Sequence, residues 1–166
     1  MRGGQTPASL GMEFMDGGEE QTTGWVHKVV ESGEWAGWTY YSADPFEDHA
    51  GPYYYRKGED GRAVCAFRCE HKHLNGGGFM HGGAIMTFAD YAIFVIAREA
   101  LTDGHSVTAS FNGDFVGAVP PGALVECTGE VVKNARSMVF VRGLITTGGD
   151  PVMNFSAIIK KRPART

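Results

Sequence analysis

The strongest pattern in the chain is a run of mostly apolar residues from Ala84 to Ala97, AIMTFADYAIFVIA. Apolar groups occupy nearly every side of a helix drawn through this run, which is typical of a helix buried on all sides. The run is too short to cross a bilayer. We therefore expect a long helix inside a globular domain, with Asp90 near its middle.

Segments with alternating apolar and polar residues flank this helix on both sides. Two precede it, at residues 53–55 and 62–70, and a hairpin turn signal, Glu59-Asp60-Gly61, lies between them. Four follow it, at residues 107–115, 124–132, 137–146 and 151–160. Because short turns join neighbouring segments, the strands should be antiparallel. The pattern predicts an α+β fold in which one antiparallel β-sheet wraps around one long buried helix.

The first 40 residues differ from the rest of the chain in composition and in hydrophobic pattern. Residues 1–40 are predicted to form an extension before the domain at residues 41–166. Residues 1–23 are rich in glycine and acidic groups, which is typical of a mobile tail. Residues 24–41 have a weak amphipathic pattern that suggests a capping helix. Asp44-Pro45 then predicts a turn.

Composition and charge argue against nucleic acid and membranes as partners. The net charge of -4 leaves no basic footprint for nucleic acid. No apolar run is long enough to span a membrane, and the first residues lack the apolar core of a secretion signal. Three cysteines, an odd number, are most simply read as reduced thiols. These features favour a cytoplasmic protein.

A glycine-rich segment opens the predicted helix, Asn75-Gly-Gly-Gly-Phe-Met-His81-Gly82-Gly83. Glycine lets another group approach the backbone closely. The first turn of a helix has free N–H groups and the positive end of the helix dipole. It can therefore bind a polarised carbonyl oxygen or an oxyanion. The alternative is a glycine-rich turn that only allows the helix to pack on the sheet.

Asp90 is the second candidate for chemistry. A carboxylate in an apolar helix is costly unless it is paired, hydrogen-bonded or neutralised. It could cap the N–H groups of a loop. The functional interpretation is a general base or a nucleophile in an active site.

The spacing of His81 and Asp90 links the two features. Nine residues separate them, which is about 180° around a helix and roughly 13 Å along it. One helix cannot bring both side chains to one reacting atom. If both are catalytic, a second copy of the chain must supply one of them, and the site is shared between subunits.

Other chemistries have weaker support. Cys69, His71 and His73 alternate and would share one strand face, so a metal site is conceivable, but no fourth ligand is evident. The chain has no G-x-S-x-G nucleophile elbow and no P-loop. Asp44 and His49 have the spacing of hotdog-fold hydratases, yet they lie in a proline-interrupted turn, and we treat this as chance.

The motif formed by Asn75, His81-Gly82-Gly83 and Asp90, N-x5-H-G-G-x6-D, resembles that of the PaaI-like phenylacetyl-CoA thioesterases of the hotdog superfamily. The similarity covers about residues 45–162, and the order of strands agrees. The resemblance implies a hotdog fold, dimers that join their sheets and often pair into tetramers, and thioester hydrolysis without a metal or other cofactor.

The resemblance also implies a role for each matching residue. Asn75 and the Gly82 N–H would polarise the thioester carbonyl, and His81 would help to shape that pocket. Asp90 from the partner would activate water or attack directly, giving a mixed anhydride. Thr108 matches a Ser or Thr that lies beside the carboxylate and could position the water. Gly113 departs from the family pattern and predicts a bulge or a close backbone approach.

The expected substrate is an acyl-CoA. Large side chains near the motif favour an aryl or medium-chain acyl group, and we expect substrate contacts from Gly83, Phe79, Met80 and Tyr91. Lys133 and Arg136 could meet the phosphates of CoA, although both could equally be solvated turn residues. The alternatives are a hotdog enoyl-CoA hydratase and a non-catalytic protein that binds acyl ligands.

Overall fold

The computed structural model describes residues 26–42, 44–101 and 106–161. Its strands are β1 (Val26–Val29), β2 (Thr39–Ser42), β3 (Tyr54–Lys57), β4 (Ala63–Arg68), β5 (Ser106–Phe115), β6 (Leu124–Asn134), β7 (Met138–Thr147) and β8 (Asp150–Lys161). Its helices are α1 (Pro45–Ala50) and α2 (Gly82–Ile96), and short 3-10 turns cover His71–His73 and Arg98–Ala100.

All eight strands form one antiparallel sheet in the order β1-β2-β3-β4-β6-β7-β8-β5. The helix α2 packs across β4, β6, β7 and β8. Its apolar side chains and the facing strand residues make one core. The sheet wrapped around a long helix, predicted from the sequence, is confirmed. Among the described residues, no helix is long and apolar enough to cross a membrane.

The helix α2 is not buried on all sides in the single chain. Phe88, Ala92 and Ile93 are fully enclosed by the sheet. The opposite side exposes Met86, of which 44% is accessible, and Asp90. These two residues are four apart and share one face of the helix. The expectation of all-round burial is therefore wrong for this face, because the sheet of one chain covers only the other side.

The amphipathic pattern at residues 24–41 does not form a helix. The described part of this segment contains β1 and the start of β2, which pair with each other in the sheet. Trp35 and Trp38 contribute to an aromatic cluster, in which the Trp35 ring stacks on Tyr54 at 4.3 Å. On the strands themselves, Tyr41 of β2 stacks on Tyr55 of β3, with ring centroids 5.4 Å apart. Pairing in the sheet and this cross-strand aromatic packing outweigh the weak helical periodicity. The mobile tail expected at residues 1–23 lies outside the described residues.

Asp44-Pro45 begins a helix rather than a simple turn. The Asp44 carboxylate accepts hydrogen bonds from the N–H groups of Phe46 and Glu47, each at 3.1 Å. Proline occupies the first helical position, where its missing N–H costs nothing. The result is α1, which packs against α2.

The edge strand β5 contains a bulge after Thr108. Thr108 pairs with Ile159, while Ser110 pairs with Ile158, so Ala109 is the extra residue. The close approach predicted at Gly113 is confirmed, since an added Cβ would lie 2.2 Å from Met153 Cε. The bulge itself lies at Ala109 rather than at Gly113.

Candidate active site

The glycine-rich loop is held by Asn75. Its Oδ1 accepts hydrogen bonds from the N–H groups of Gly77, at 2.8 Å, and Phe79, at 3.4 Å. The backbone of Asn75 also exchanges hydrogen bonds with the loop, donating to Phe79 O and accepting from Gly78 N. Because the amide oxygen is engaged, the Asn75 NH₂ group is the part that remains to donate to a ligand. Asn75 itself is exposed.

His81 caps the N-terminus of α2. Its Nδ1 accepts a 2.8 Å hydrogen bond from Gly83 N–H. This fixes the proton of the neutral ring on Nε2, which can donate outward. The cap engages the N–H of Gly83, whereas the N–H of Gly82 has no acceptor among the described residues. The Gly82 N–H is therefore the helix-end donor that a carbonyl oxygen could use.

Asp90 lies on the exposed face of α2 and contacts the edge strand. The Thr108 hydroxyl donates a 2.6 Å hydrogen bond to Asp90 Oδ1. The structure thus brings together the two residues that the family resemblance paired. Asp90 is exposed in the single chain rather than buried as its helix suggested. One carboxylate oxygen is held by Thr108, and the other has room to meet a water molecule or a substrate.

A pocket with a volume of about 280 Å³ adjoins Asp90. It lies between α1, α2 and β5, and its other lining residues are Phe46, Glu47, Met86, Thr87, Tyr91 and Phe111. Most of these side chains are apolar or aromatic. An apolar pocket with a few polar groups is typical of a small-molecule site. It could receive an apolar group linked to a reacting centre near Asp90.

Glu47 is a second carboxyl group in this pocket. Burial and the neighbouring charges of Asp44, Asp90 and Asp48 raise its pKa to about 7. Tyr91 also lines the pocket, and burial raises the pKa of its hydroxyl far above the ordinary value. The Tyr91 hydroxyl is 3.4 Å from Tyr53 O, to which it donates a hydrogen bond. Tyr91 is therefore fixed in its neutral form.

The C-terminal end of α1 is fastened to the segment that leads into the glycine-rich loop. Lys72 Nζ donates to the carbonyl oxygens of His49 and Gly51. His73 accepts at Nδ1 from Glu70 N–H, at 2.8 Å, so its Nε2–H donates to Ala50 O, at 2.7 Å. These contacts hold α1 beside α2, at the mouth of the pocket.

The contacts of His73 are incompatible with the metal site suggested by Cys69, His71 and His73. Residues 71–73 form a 3-10 turn instead of continuing the strand, so Cys69, His71 and His73 do not share a strand face. Both ring nitrogens of His73 are engaged in backbone hydrogen bonds. Within the described ranges, no cluster of His, Cys, Asp or Glu could hold a metal ion.

The remaining residues predicted to contact substrate differ in their location and exposure. Tyr91 lines the pocket beside Asp90. Phe79 is exposed in the loop, whereas Met80 is buried in the core, so Met80 offers no surface to a ligand in this structure. Lys133 and Arg136 are exposed at the end of the β6–β7 hairpin. This end of the sheet also contains Thr108, since Asn134, Val139, Ile159 and Thr108 occupy one cross-strand row.

Sequence reasoning did not identify Phe46, Glu47, Met86 or Phe111 as site residues. Two signals could have found them. The Asp-Pro-x-Glu pattern at residues 44–47 is a helix start with an acidic residue in the first turn. Met86 precedes Asp90 by four residues and so shares its helix face. No sequence signal marks the bulge that turns Phe111 toward the pocket.

Comparisons with known proteins agree with this geometry. Residues 77–153 match the model of a family described as the thioesterase superfamily. A Pseudomonas aeruginosa protein named "Putative esterase" is 29% identical over 119 residues, which cover 71% of this chain and 89% of that protein.

Solved structures have a similar fold. The TT0310 protein of Thermus thermophilus is 26% identical with a TM-score of 0.63, and the match covers 73% of this chain and 100% of that one. A variant of the phenylacetic acid degradation protein PaaI from the same organism is also 26% identical with a TM-score of 0.63, covering 72% of this chain and 100% of that one. The chain has the hotdog fold, its residues 77–153 match the thioesterase superfamily, and PaaI proteins are among its structural relatives.

Proposed function

We propose that the protein is an acyl-CoA thioesterase that hydrolyses an aryl or medium-chain acyl-CoA to the free acid and CoA. The observation that carries this proposal is the hydrogen-bonded pair of Asp90 and Thr108 beside an apolar pocket. The pair supplies a carboxylate with a fixed orientation, and the pocket supplies space for an acyl group. The match of residues 77–153 to the thioesterase superfamily supports the same reaction.

The proposed mechanism uses two groups of residues. The Asn75 NH₂ and the Gly82 N–H donate to the thioester oxygen, which becomes an oxyanion as the carbonyl is attacked. Asp90 either removes a proton from the attacking water or attacks the carbonyl carbon itself. Thr108 orients the Asp90 carboxylate through its 2.6 Å hydrogen bond. The C–S bond then breaks, and CoA leaves as the thiolate. When Asp90 is the nucleophile, water afterwards cleaves the mixed anhydride, which releases the free acid and restores the Asp90 carboxylate.

The site is proposed to be shared between two subunits. Gly82 and Asp90 are eight residues apart on α2, which is about 12 Å along the helix axis. Both cannot lie within hydrogen-bonding distance of the same thioester group. An antiparallel α2 from a second copy would place its own Asp90 near the Gly82 N–H of the first.

Exposed surface around Asp90 supports this assembly. The strand β5 is an edge of the sheet, so one side of its backbone is free to pair with another strand. Apolar side chains near this edge and on the neighbouring helix face are accessible in the single chain: Met86 44%, Val107 42%, Phe115 50% and Val116 58%. A second copy joined at β5 would cover them.

The proposal includes a site for the CoA phosphates. Lys133 and Arg136 lie at the same end of the sheet as Thr108. Two strands, β7 and β8, separate β6 from β5, which is about 14 Å at the usual strand spacing. That distance is compatible with a nucleotide on the surface while the thioester lies near Asp90.

Release of free thiol from a panel of acyl-CoA substrates tests the proposal. We expect turnover on phenylacetyl-CoA or on chains of medium length. An enoyl-CoA hydratase would instead change the absorbance of the conjugated double bond without releasing thiol. Binding of the acyl-CoA with neither change would identify a non-catalytic binding protein.

A further inference from the structure

The pocket beside Asp90 contains a carboxyl group that the proposed mechanism does not use. Glu47 comes from α1 and faces the same space as Asp90, which comes from α2. The other side chains around it are mainly apolar and include Phe46, Met86 and Phe111. Two carboxyl groups in one apolar pocket cannot both be ionised without mutual repulsion.

The charged groups that face Glu47 have the same sign. They are Asp44 and Asp48 on its own segment and Asp90 on α2. The other titratable groups that interact with Glu47 are neutral when protonated, namely Tyr91 on α2, Tyr53 before β3, Tyr41 on β2 and Cys65 on β4. No ion pair to Glu47 is present in the described residues, and Lys72 donates to backbone carbonyls at the far end of α1.

The position of Glu47 is fixed by the anchoring of α1. Its backbone N–H is bound by Asp44 Oδ1 at 3.1 Å, and its carbonyl accepts from Gly51 N–H at 2.6 Å. Lys72 and His73 hold the following turn from the other side. The backbone of Glu47 therefore cannot move away from the pocket unless α1 detaches.

We propose that Glu47 is a specificity-determining residue of the acyl pocket, which excludes acyl chains that end in a carboxylate and admits uncharged ones. This inference rests on the proposed thioesterase function, because it assigns the pocket to the acyl group. A terminal carboxylate would enter a space already faced by Glu47 and Asp90. Like charges brought together in an apolar space repel strongly, which disfavours binding.

The same arrangement makes the binding of uncharged chains depend on pH. An apolar acyl group removes water from Glu47, and this loss of solvation penalises the carboxylate more than the neutral acid. With a pKa of about 7 in the empty pocket, Glu47 is mostly protonated below pH 7. Above pH 7, binding of an uncharged chain must be accompanied by proton uptake, so its affinity falls as the pH rises.

The test compares two acyl-CoA substrates of equal chain length, hexanoyl-CoA and adipoyl-CoA, which differ by the terminal carboxylate. We expect the wild-type protein to prefer hexanoyl-CoA in kcat/KM at pH 8. Glu47→Gln keeps the size of the side chain and removes its charge. It should raise the ratio of adipoyl-CoA to hexanoyl-CoA activity by at least about tenfold, since the repulsion removed exceeds the free energy of a tenfold change.

The matched control is Glu59→Gln, which makes the same chemical change at an exposed position outside the pocket lining. Its substrate ratio should stay within about twofold of the wild-type ratio, because water and salt screen an exposed charge. Glu47→Leu serves as a second neutral variant if Glu47→Gln does not fold. An unchanged ratio in a folded neutral variant overturns the proposal.

Failure of the thioesterase proposal can be distinguished from failure of the proposal for Glu47. If neither acyl-CoA is hydrolysed by the wild-type protein, the thioesterase proposal fails. The Kd values of hexanoyl-CoA and adipoyl-CoA are then measured by calorimetry, and their ratio replaces the ratio of activities. If hexanoyl-CoA binds more tightly than adipoyl-CoA, and Glu47→Gln reduces this preference, selection by charge is still supported. Equal affinities, with no effect of Glu47→Gln, overturn it.

Discussion

The Thr108 hydroxyl donates a hydrogen bond of 2.6 Å to Asp90 Oδ1, which joins the edge strand β5 to the exposed face of α2. Regular alternation would place Phe111, three residues after Thr108, on the opposite face of the strand. The bulge at Ala109 shifts the register, so that Phe111 lines the pocket beside Asp90. One extra residue therefore lets β5 contribute both a polar contact and an apolar wall to one site.

Replacement of Asp90 by Asn should remove most thioesterase activity and leave the fold intact. The side chain keeps its size but loses the charge that acts as base or nucleophile, and we expect kcat to fall about a hundredfold to ten-thousandfold. Thiol release measures activity, and circular dichroism checks folding. Asp150→Asn, an exposed change at the start of β8, is the control and should retain activity. Activity near the wild-type level in folded Asp90→Asn would contradict the mechanism.

Thr108 should matter through its hydroxyl group rather than through its shape. Thr108→Val keeps the branched side chain and removes the hydrogen bond to Asp90. We expect a loss in kcat of roughly tenfold to a thousandfold, as for one polar group of a preorganised site. Thr108→Ser retains the hydroxyl and should recover most of the lost activity. Equal losses in the Val and Ser variants would show that packing, not the hydrogen bond, explains the effect.

The fold and part of the site follow from local sequence. The continuous apolar run predicted α2, and alternation with short turns predicted the strands from Ala63 onward. The motif from Asn75 to Asp90 identified the loop, the helix start and the carboxylate. Its glycines are informative because they mark positions where the backbone itself interacts.

The remaining features of the fold and the site depend on contacts between residues that are distant in sequence. The bulge at Ala109 is set by pairing between β5 and β8, which no local pattern encodes. The strands β1 and β2 are stabilised by pairing with each other and by aromatic contacts such as Tyr41 on Tyr55, so their weak helical periodicity misled the prediction. The exposure of Asp90 depends on which face of α2 the sheet covers, and composition alone does not give that face.

A side chain at Gly113 of β5 should destabilise the protein, because it would overlap the buried side chain of Met153, which must move to make room. In Gly113→Ala, the new methyl group would lie 2.2 Å from Met153 Cε and 3.1 Å from the Asn154 carbonyl oxygen. Overpacking of this kind costs typically about 1–3 kcal/mol, measured as a loss in the free energy of unfolding by urea titration. Gly76→Ala is the matched control, because no atom lies within 4 Å of its added Cβ. Equal stability of the two variants would contradict the packing described for β5.

Glu47→Gln should stabilise the protein at pH 8 more than at pH 5. The pKa of Glu47 is raised from 4.5 to about 7 in the folded state. The folded protein therefore holds a proton that the unfolded chain has released, and stability declines as the pH rises from about 4.5 through 7. Glutamine removes this decline.

Differential scanning calorimetry of wild-type protein and Glu47→Gln at both pH values measures the effect. After allowance for solvent screening of this half-buried group, we expect a gain of about 1 kcal/mol at pH 8, which is roughly 2–4 °C in Tm. The difference between the two proteins should be smaller at pH 5. A gain that is equal at both pH values would mean that Gln stabilises by packing rather than by removing charge.

Mixed dimers of two inactive variants test the shared site directly. Asn75→Ala removes a carbonyl donor, and Asp90→Asn removes the carboxylate, so each variant alone should be near background. If the site combines Asn75 of one subunit with Asp90 of the other, a heterodimer has one site with both lesions and one site with neither. With random pairing of equal amounts, half of the dimers are mixed, and about a quarter of wild-type activity should return if the sites act independently.

Co-expression with two different affinity tags isolates the heterodimers and removes any dependence on subunit exchange. Purified heterodimers should then have about half of the wild-type activity, since one of two sites is intact. The control is a heterodimer of Asp90→Asn with Thr108→Val. Thr108 contacts Asp90 of the same chain, so both changes affect the carboxylate end of a site, and neither site is intact. If the Asn75→Ala and Asp90→Asn heterodimers recover no more activity than this control, both residues act within one subunit and the antiparallel pairing of α2 is wrong.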